Sequence, residues 1–288
     1  SIIIALLLLL HSAAGAVARA HAASRLRGGF DDVAPPAPEH ARPLLVIGSV
    51  NADVIIEVDR LPHHDETLVA RNPKCHAVTG GKGANQAVAA SRLAGASRRV
   101  QFVCAFGDDA HAQGLEATLA ANGLDLSGCR HVADCSSGQG FVFLQADGSV
   151  ASVVVGGANA GWRAEHTAPL AERVRGAAMV LLQREIPQAV NEAIAAMAQS
   201  ANVPVVLDCG GEATPISDAL LSCCDFVCPN INELERLSGA DPGAIRSREQ
   251  VLDAARVLQA RGARRVLVTM GVDGAILLGV DGGVTYQP

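Results

Sequence analysis

The sequence predicts an α/β domain with a mostly parallel central sheet and a small separate β-sheet, and three observations carry that prediction. Short apolar runs alternate with longer helix-type stretches, the rhythm of βαβ units. Polar residues such as Asn51, Glu185, Asp208 and Asn230 fall soon after the apolar runs, as expected of buried strands with ligand loops beyond their carboxyl ends. A second set of β-type runs flanks the turn Ala146-Asp147-Gly148-Ser149 and stands outside that rhythm.

Composition bounds the function classes. A chain of 288 residues, 49% hydrophobic, is long enough to bury one sizeable core. A net charge of −6 with only 3% aromatic residues removes both the basic footprint and the stacking platforms of a nucleic-acid binder. The eight cysteines contain no C-x-x-C pair and no zinc-type spacing, and they read as reduced, mostly buried thiols.

The first 42 residues obey different rules. Ile2 to Leu10 is an apolar run too short to span a bilayer, and Ala18-Arg19-Ala20 suits a signal-peptidase site. From His11 to Phe30 the chain carries Arg19, Arg25 and Arg27 and no acidic residue, which is transit-peptide composition. We therefore expect residues 1–42 to be a targeting leader and Pro-rich linker. A two-part plastid leader, a plain secretory leader and a cytoplasmic destination stay open, although no N-x-[ST] sequon supports secretion. The chain starts with Ser, so its beginning is expected to be incomplete.

From Leu44 the elements follow in order. Leu44 to Ile47 reads as a buried strand ended by Gly48, which opens the loop Gly48-Ser49-Val50-Asn51-Ala52-Asp53. Val54 to Val58, Thr67 to Ala70, Gly140 to Leu144 and Val150 to Val155 are expected to form the small sheet, a lid spanning about 54–78 and 137–155. Thr79 to Ala90 reads as a tight loop feeding a helix. Its glycines let a ligand approach the backbone, while the free N–H groups and dipole of the first turn attract electron-rich groups. Lys82 and Asn85, three apart, can face one ligand. It is not a Walker A loop, because Ala77 and Gly83 stand where that motif needs Gly and Ser or Thr.

Further strands are expected at Val100 to Ala105, Met179 to Leu182, Pro204 to Leu207, Phe226 to Cys228 and Arg265 to Thr269, with helices at Ala110 to Asn122, Gln188 to Gln199, Asn232 to Leu237 and Arg248 to Arg261. Polar residues cluster after the strands: Asn51 and Asp53, Glu185, Asp208, Asn230 and Glu233, Thr269 and Gly271.

These residues carry a resemblance. GSVNAD, then GGKGANQAVAA, LLQREIP, VCPNINELERLSG and VLVTMGVDGA, in that order, resemble the ribokinase branch of the PfkB sugar-kinase family. The resemblance implies a ribokinase-like three-layer α/β/α domain over residues 43–288, a carbohydrate kinase that transfers phosphate from Mg-ATP to the 5-hydroxyl of D-ribose, and a homodimer formed through the lid. It places Asn51, Asp53, Gly81, Lys82, Asn85 and Glu185 on the sugar. Asn230, Thr269, Gly271 and Gly274 fall on the nucleotide side, and Glu233 at the magnesium. Another PfkB sugar or nucleoside kinase, or a non-catalytic sugar-binding fragment, remains open at this point.

Three departures stand out. Arg184 is charged where the family has an apolar residue, and Asp65-Glu66-Thr67 replaces its G-E-T. The family's D-T-x-G-A-G-D segment, which holds the catalytic base, has no match in the 288 residues. The resemblance therefore implies that the general base lies beyond Pro288. The expectation is a C-terminally truncated chain, inactive as written, with no catalytic residue of its own and with the potassium site only in a complete protein.

Overall fold

Alternate residues of the central strands face opposite cores, which is the pattern of a sheet covered on both sides. The computed structural model describes residues 42–288, so the expected leader lies outside the described residues apart from Arg42. In chain order the strands are β1 (Leu44–Ile47), β2 (Asn51–Val58), β3 (His76–Gly80), β4 (Val100–Val103), β5 (Ala105–Phe106), β6 (Arg130–His131), β7 (Gly138–Gln145) and β8 (Val150–Val155). After them come β9 (Met179–Arg184), β10 (Val205–Gly211), β11 (Phe226–Cys228), β12 (Val266–Thr269), β13 (Ala275–Leu278) and β14 (Val284–Gln287). The α-helices are α1 (Lys82–Ala94), α2 (Ala110–Ala121), α3 (Ala171–Gly176), α4 (Gln188–Ser200), α5 (Asp218–Cys223), α6 (Ile231–Ser238) and α7 (Arg248–Ala260).

The main sheet runs β14-β13-β12-β11-β10-β9-β1-β4. All its pairings from β4 to β12 are parallel, and β13 and β14 extend it antiparallel. Leu45, Ile47, Val180, Leu182, Val205 and Leu207 enter one core with α4 to α7. Val46, Leu181, Val206 and Leu267 enter the other, beneath Ala84, Ala87 and Ala90 of α1 and Leu115 and Leu119 of α2. The small residues of α1 let it lie close to the sheet, which brings its first turn to the carboxyl ends of the strands. This is the expected three-layer fold.

The lid is the four-stranded sheet β3-β2-β7-β8. Its membership corrects two expectations. Thr67 to Ala70 forms no strand, and Val69 is 90% exposed. The strand beside β2 is β3, in the register Asn51 to Gly80. Asn51 and Asp53 are accordingly strand residues of β2, not loop residues, because pairing with β3 and β7 on both sides begins at Asn51. The hairpin β13–β14 and the short helices α3 and α5 were not expected. Six residues of helix leave too little periodicity to read.

Candidate active site

The chain leaves the end of β1 for the lid and returns through α1 to β4, while the other neighbour of β1 is β9. That reversal creates a crevice at the strand ends, the standard place for a ligand in such a sheet. Ser49, Glu185, Asn230 and Thr269 lie along it, each at or just past the end of a strand, and Asp208 lies within β10 beside the end of β11.

On the lid side, Asn51 and Asp53 share one face of β2. Three of their neighbours on that face, Gly80, Gly138 and Gly140, carry no side chain. A Cβ at Gly80 would stand 1.8 Å from Asp53 Oδ2, and one at Gly140 would stand 2.2 Å from Asp53 Oδ1. The carboxylate thus rests on bare backbone. Among the described residues no hydrogen bond reaches it, and burial, followed by the charge of Glu185, holds its pKa above the ordinary carboxylate range. Asn51 differs. It is buried and fixed by Asn159, whose Nδ2 donates to Asn51 Oδ1 at 2.8 Å.

Glu185 sits at the centre of the crevice, fixed by its neighbours. Its Oε2 accepts from Ser49 Oγ at 2.7 Å and from the Lys82 backbone N–H at 2.8 Å. Ser49 Oγ in turn accepts from Gly83 N–H at 3.2 Å. The first turn of α1, expected to attract an external electron-rich ligand, is therefore satisfied by the protein's own carboxylate. Gly81 adopts φ 89, and Gly83 packs so tightly on the β1 loop that a Cβ would stand 2.5 Å from Ser49 N. Both glycines are required by that approach. The Lys82 ammonium points back to 4.0 Å from Glu185 Oε1. Asn85 is exposed one turn further along, and among the described residues no hydrogen bond joins its side chain to this cluster.

The far end of the crevice gathers carboxylates. Asp208 is largely buried, accepts from Gly210 N–H at 2.7 Å, and has its pKa pushed up to about 6, first by burial and then by the charges of Glu233 and Glu185 against the help of Lys82. A Cβ on Gly210 would stand 2.9 Å from Asp208 Oδ1, 2.9 Å from Lys82 Cε and 3.2 Å from Glu233 Oε1, so these three side chains converge there. Asn230 and Glu233 form a complete capping box on α6, each side chain accepting the other's backbone N–H at 2.9 Å. Thr269 N–H donates to Pro229 O at 3.0 Å, which brings β12 beside that cap. Gly271 has φ 62 and open space around it, as a ligand-facing turn requires.

Gly274 is glycine for a different reason: a Cβ would stand 2.0 Å from Gln287 O and 2.8 Å from Pro288 Cα. Pro288 directly follows β14, is exposed, and with Gln287 backs the turn that carries Gly271 and Gly274, so it has a packing part there and is no site residue. The fold of the described residues shows neither the expected truncation nor the expected inactivity.

Among the described residues no three His, Cys, Asp or Glu side chains form a metal cage. Asp208 and Glu233 both reach the Gly210 backbone, Glu233 with its two oxygens accepting from Asn230, and the charge of Glu233 helps hold the Asp208 pKa up; carboxylates in this state have the oxygen chemistry that a magnesium ion keeping most of its waters would need.

Two residues of this site were not singled out as contacts beforehand. Ser49 joins α1 to Glu185, and Asp208 completes the acidic end. Asp208 was already singled out as following the expected strand Pro204 to Leu207, although the structure continues that strand through it to Gly211.

Comparison with known proteins agrees with this fold. Residues 41–288 match the description pfkB family carbohydrate kinase. A ribokinase of Arabidopsis thaliana is 39% identical over 83% of the chain, which spans 62% of that relative's length. A deoxyribokinase of Salmonella typhi is 31% identical over 83% of the chain and 75% of its own. The solved structure of the Arabidopsis thaliana ribokinase complexed with ribose and ATP superposes with a TM-score of 0.77 at 38% identity, covering 86% of this chain and 78% of the other. With a family match that runs through every element described, the chain belongs to the pfkB family of carbohydrate kinases.

Proposed function

We infer that this protein serves the ATP-dependent phosphorylation of D-ribose to D-ribose 5-phosphate. The observation that carries the reading is the Asp53 carboxylate, lodged over Gly80 and Gly140 with no hydrogen bond among the described residues. A carboxylate in that state is suited to two vicinal hydroxyls, which would supply the missing donors. Asn51, Gly81, Lys82, Asn85 and Glu185 complete the sugar side. Asn230, Thr269 and Gly271 face the nucleotide in this reading, Gly274 supports that turn from behind, and Asp208 and Glu233 are the residues that would hold magnesium.

Magnesium, bound with ATP, neutralises the charge that spreads over the transferred phosphoryl group. The chain's own residues position the two substrates. Lys82 spans the gap between Glu185 and Asp208, where the sugar hydroxyl and the phosphate would meet, and so places a cation beside both. The reading assigns no described residue as the catalytic base.

A calorimetric titration with D-ribose, 2-deoxy-D-ribose, D-fructose and adenosine tests this. D-ribose is expected to bind tightest, with 2-deoxy-D-ribose weaker by about 1 to 3 kcal/mol for the lost hydroxyl partner. Tightest binding of adenosine or fructose would replace the reading by another branch of the family. Gly140→Ala offers an independent check. Its methyl would stand 2.2 Å from Asp53 Oδ1 and so displaces the far end of that side chain. Ribose affinity should fall by about tenfold.

The lid carries a further expectation. Val150, Val153, Val154 and Val155 of the edge strand β8 are all about half exposed. An apolar edge of this kind needs cover, and a second lid would supply it in a homodimer. Light scattering at micromolar concentration should give twice the chain mass, and Val153→Lys should return it to the monomer. A wild-type monomer would contradict the dimer.

A further inference from the structure

Arg184, the charged departure noted in the sequence, is 2% exposed at the end of β9, yet among the described residues it forms no ion pair with a carboxylate. Its guanidinium bonds to backbone instead. Nη1 donates to Glu212 O at 2.7 Å, and Nη2 donates to Thr214 O at 2.6 Å and to Thr214 Oγ1 at 3.2 Å. The main chain of the same residue adds a fourth tie, with Glu212 N–H donating to Arg184 O at 2.7 Å. Between these ties Gly211 passes at φ 119, so close that a Cβ would stand 2.4 Å from Arg184 O. One residue therefore fixes the segment that follows β10 from both its backbone and its side chain.

That segment is the wall on which the phosphate end of the crevice is built. Gly210, immediately before it, is the point where Asp208, Glu233 and Lys82 converge. The sugar end has polar anchors of its own, because Glu185 accepts from Ser49 Oγ and the Lys82 N–H, although Gly211 passes close enough that a Cβ there would stand 2.9 Å from Glu185 Cγ. Resting on the kinase reading above, we propose that Arg184 is a positioning residue for the nucleotide: its planar fork holds residues 211–214 so that Asp208 and Glu233 keep the spacing that receives magnesium and phosphate. The fork is what matters. Lysine keeps the charge but cannot reach two carbonyl groups in fixed directions.

Calorimetry on the wild type and on Arg184→Lys, Arg184→Met and Gly211→Ala, with D-ribose and Mg-ADP as separate probes, tests this. Gly211→Ala disturbs the wall from the other side with Arg184 intact, and so serves if the arginine variants fail to fold; because its methyl also meets Glu185 Cγ at 2.9 Å, it is read on Mg-ADP alone. In all three variants Mg-ADP affinity is expected to fall by about tenfold or more, since displacements of an ångström at such sites cost that much, while in the two arginine variants ribose affinity stays within about twofold. Mg-ADP binding at wild-type strength in any folded variant would overturn the proposal, and so would equal losses for ribose and Mg-ADP in the arginine variants, which mark a general structural role. If the wild type bound neither probe, the kinase reading itself would fail, a result distinct from both.

Discussion

Asp53→Ala is expected to weaken D-ribose binding by about 2 to 3 kcal/mol, on the order of 30- to 150-fold, while leaving Mg-ADP affinity within about twofold. The size follows from what the carboxylate lacks. No described donor satisfies it, so it can contribute to ribose the full strength of hydrogen bonds to a charged acceptor. The selectivity follows from where it lies, on β2 in the lid and away from the acidic end at Asp208 and Glu233. Removing it should also raise Tm slightly. Its pKa is held up by burial and by Glu185, so at neutral pH the ionised form is a cost to folding that alanine removes. Calorimetric titration and a thermal melt on the same sample check both parts. Unchanged ribose affinity would remove Asp53 from the site.

Asp208→Asn is expected to stabilise the magnesium-free protein and to impair its use of Mg-nucleotide. With a pKa of about 6 in the folded protein against 3.8 as the ordinary value, Asp208 binds its proton more tightly folded than unfolded. Its contribution to stability is then intact below pH 3.8 and is lost as pH rises toward 6. By linkage that loss is about 2 to 3 kcal/mol at pH 7. Asparagine still accepts the Gly210 N–H and carries no charge, so its Tm should exceed the wild type at pH 7.5, and the gap should close at pH 4. Mg-ADP affinity should fall by about tenfold or more in the same variant. A lower Tm at pH 7.5 would mean that the carboxylate is already neutralised by groups in the protein.

How much of this was legible in the sequence depended on whether the cause was local. The core strands were, because burial on both faces writes a continuous apolar run, as in Leu44–Ile47 and Phe226–Cys228. The lid was legible in outline through the turn at Asp147-Gly148, yet β3 was hidden. Its five residues run into the glycines of the α1 loop, and only pairing with β2 makes them a strand. Among the site residues, Asn230 and Glu233 were readable as a cap because three residues separate them. The part of Glu185 was not, since the partner that fixes it, Ser49, lies 136 residues away. The same holds for Arg184, whose acceptors stand 28 and 30 residues downstream on the next strand's loop. The glycines at 80, 138 and 140 could be counted in the sequence, but their purpose appears only when the lid register sets them around Asn51 and Asp53.

The most direct test of the two-ended crevice is a crystal structure of this protein with D-ribose and Mg-ADP bound together. The account predicts ribose hydroxyl oxygens within about 3.2 Å of both Asp53 carboxylate oxygens, with the phosphates at the Gly210 end beside Asp208 and Glu233. Ribose bound elsewhere, for example in the open groove on the outer face of α1 between Asn85, Arg92 and Asn122, with Asp53 still free of any partner, would contradict it.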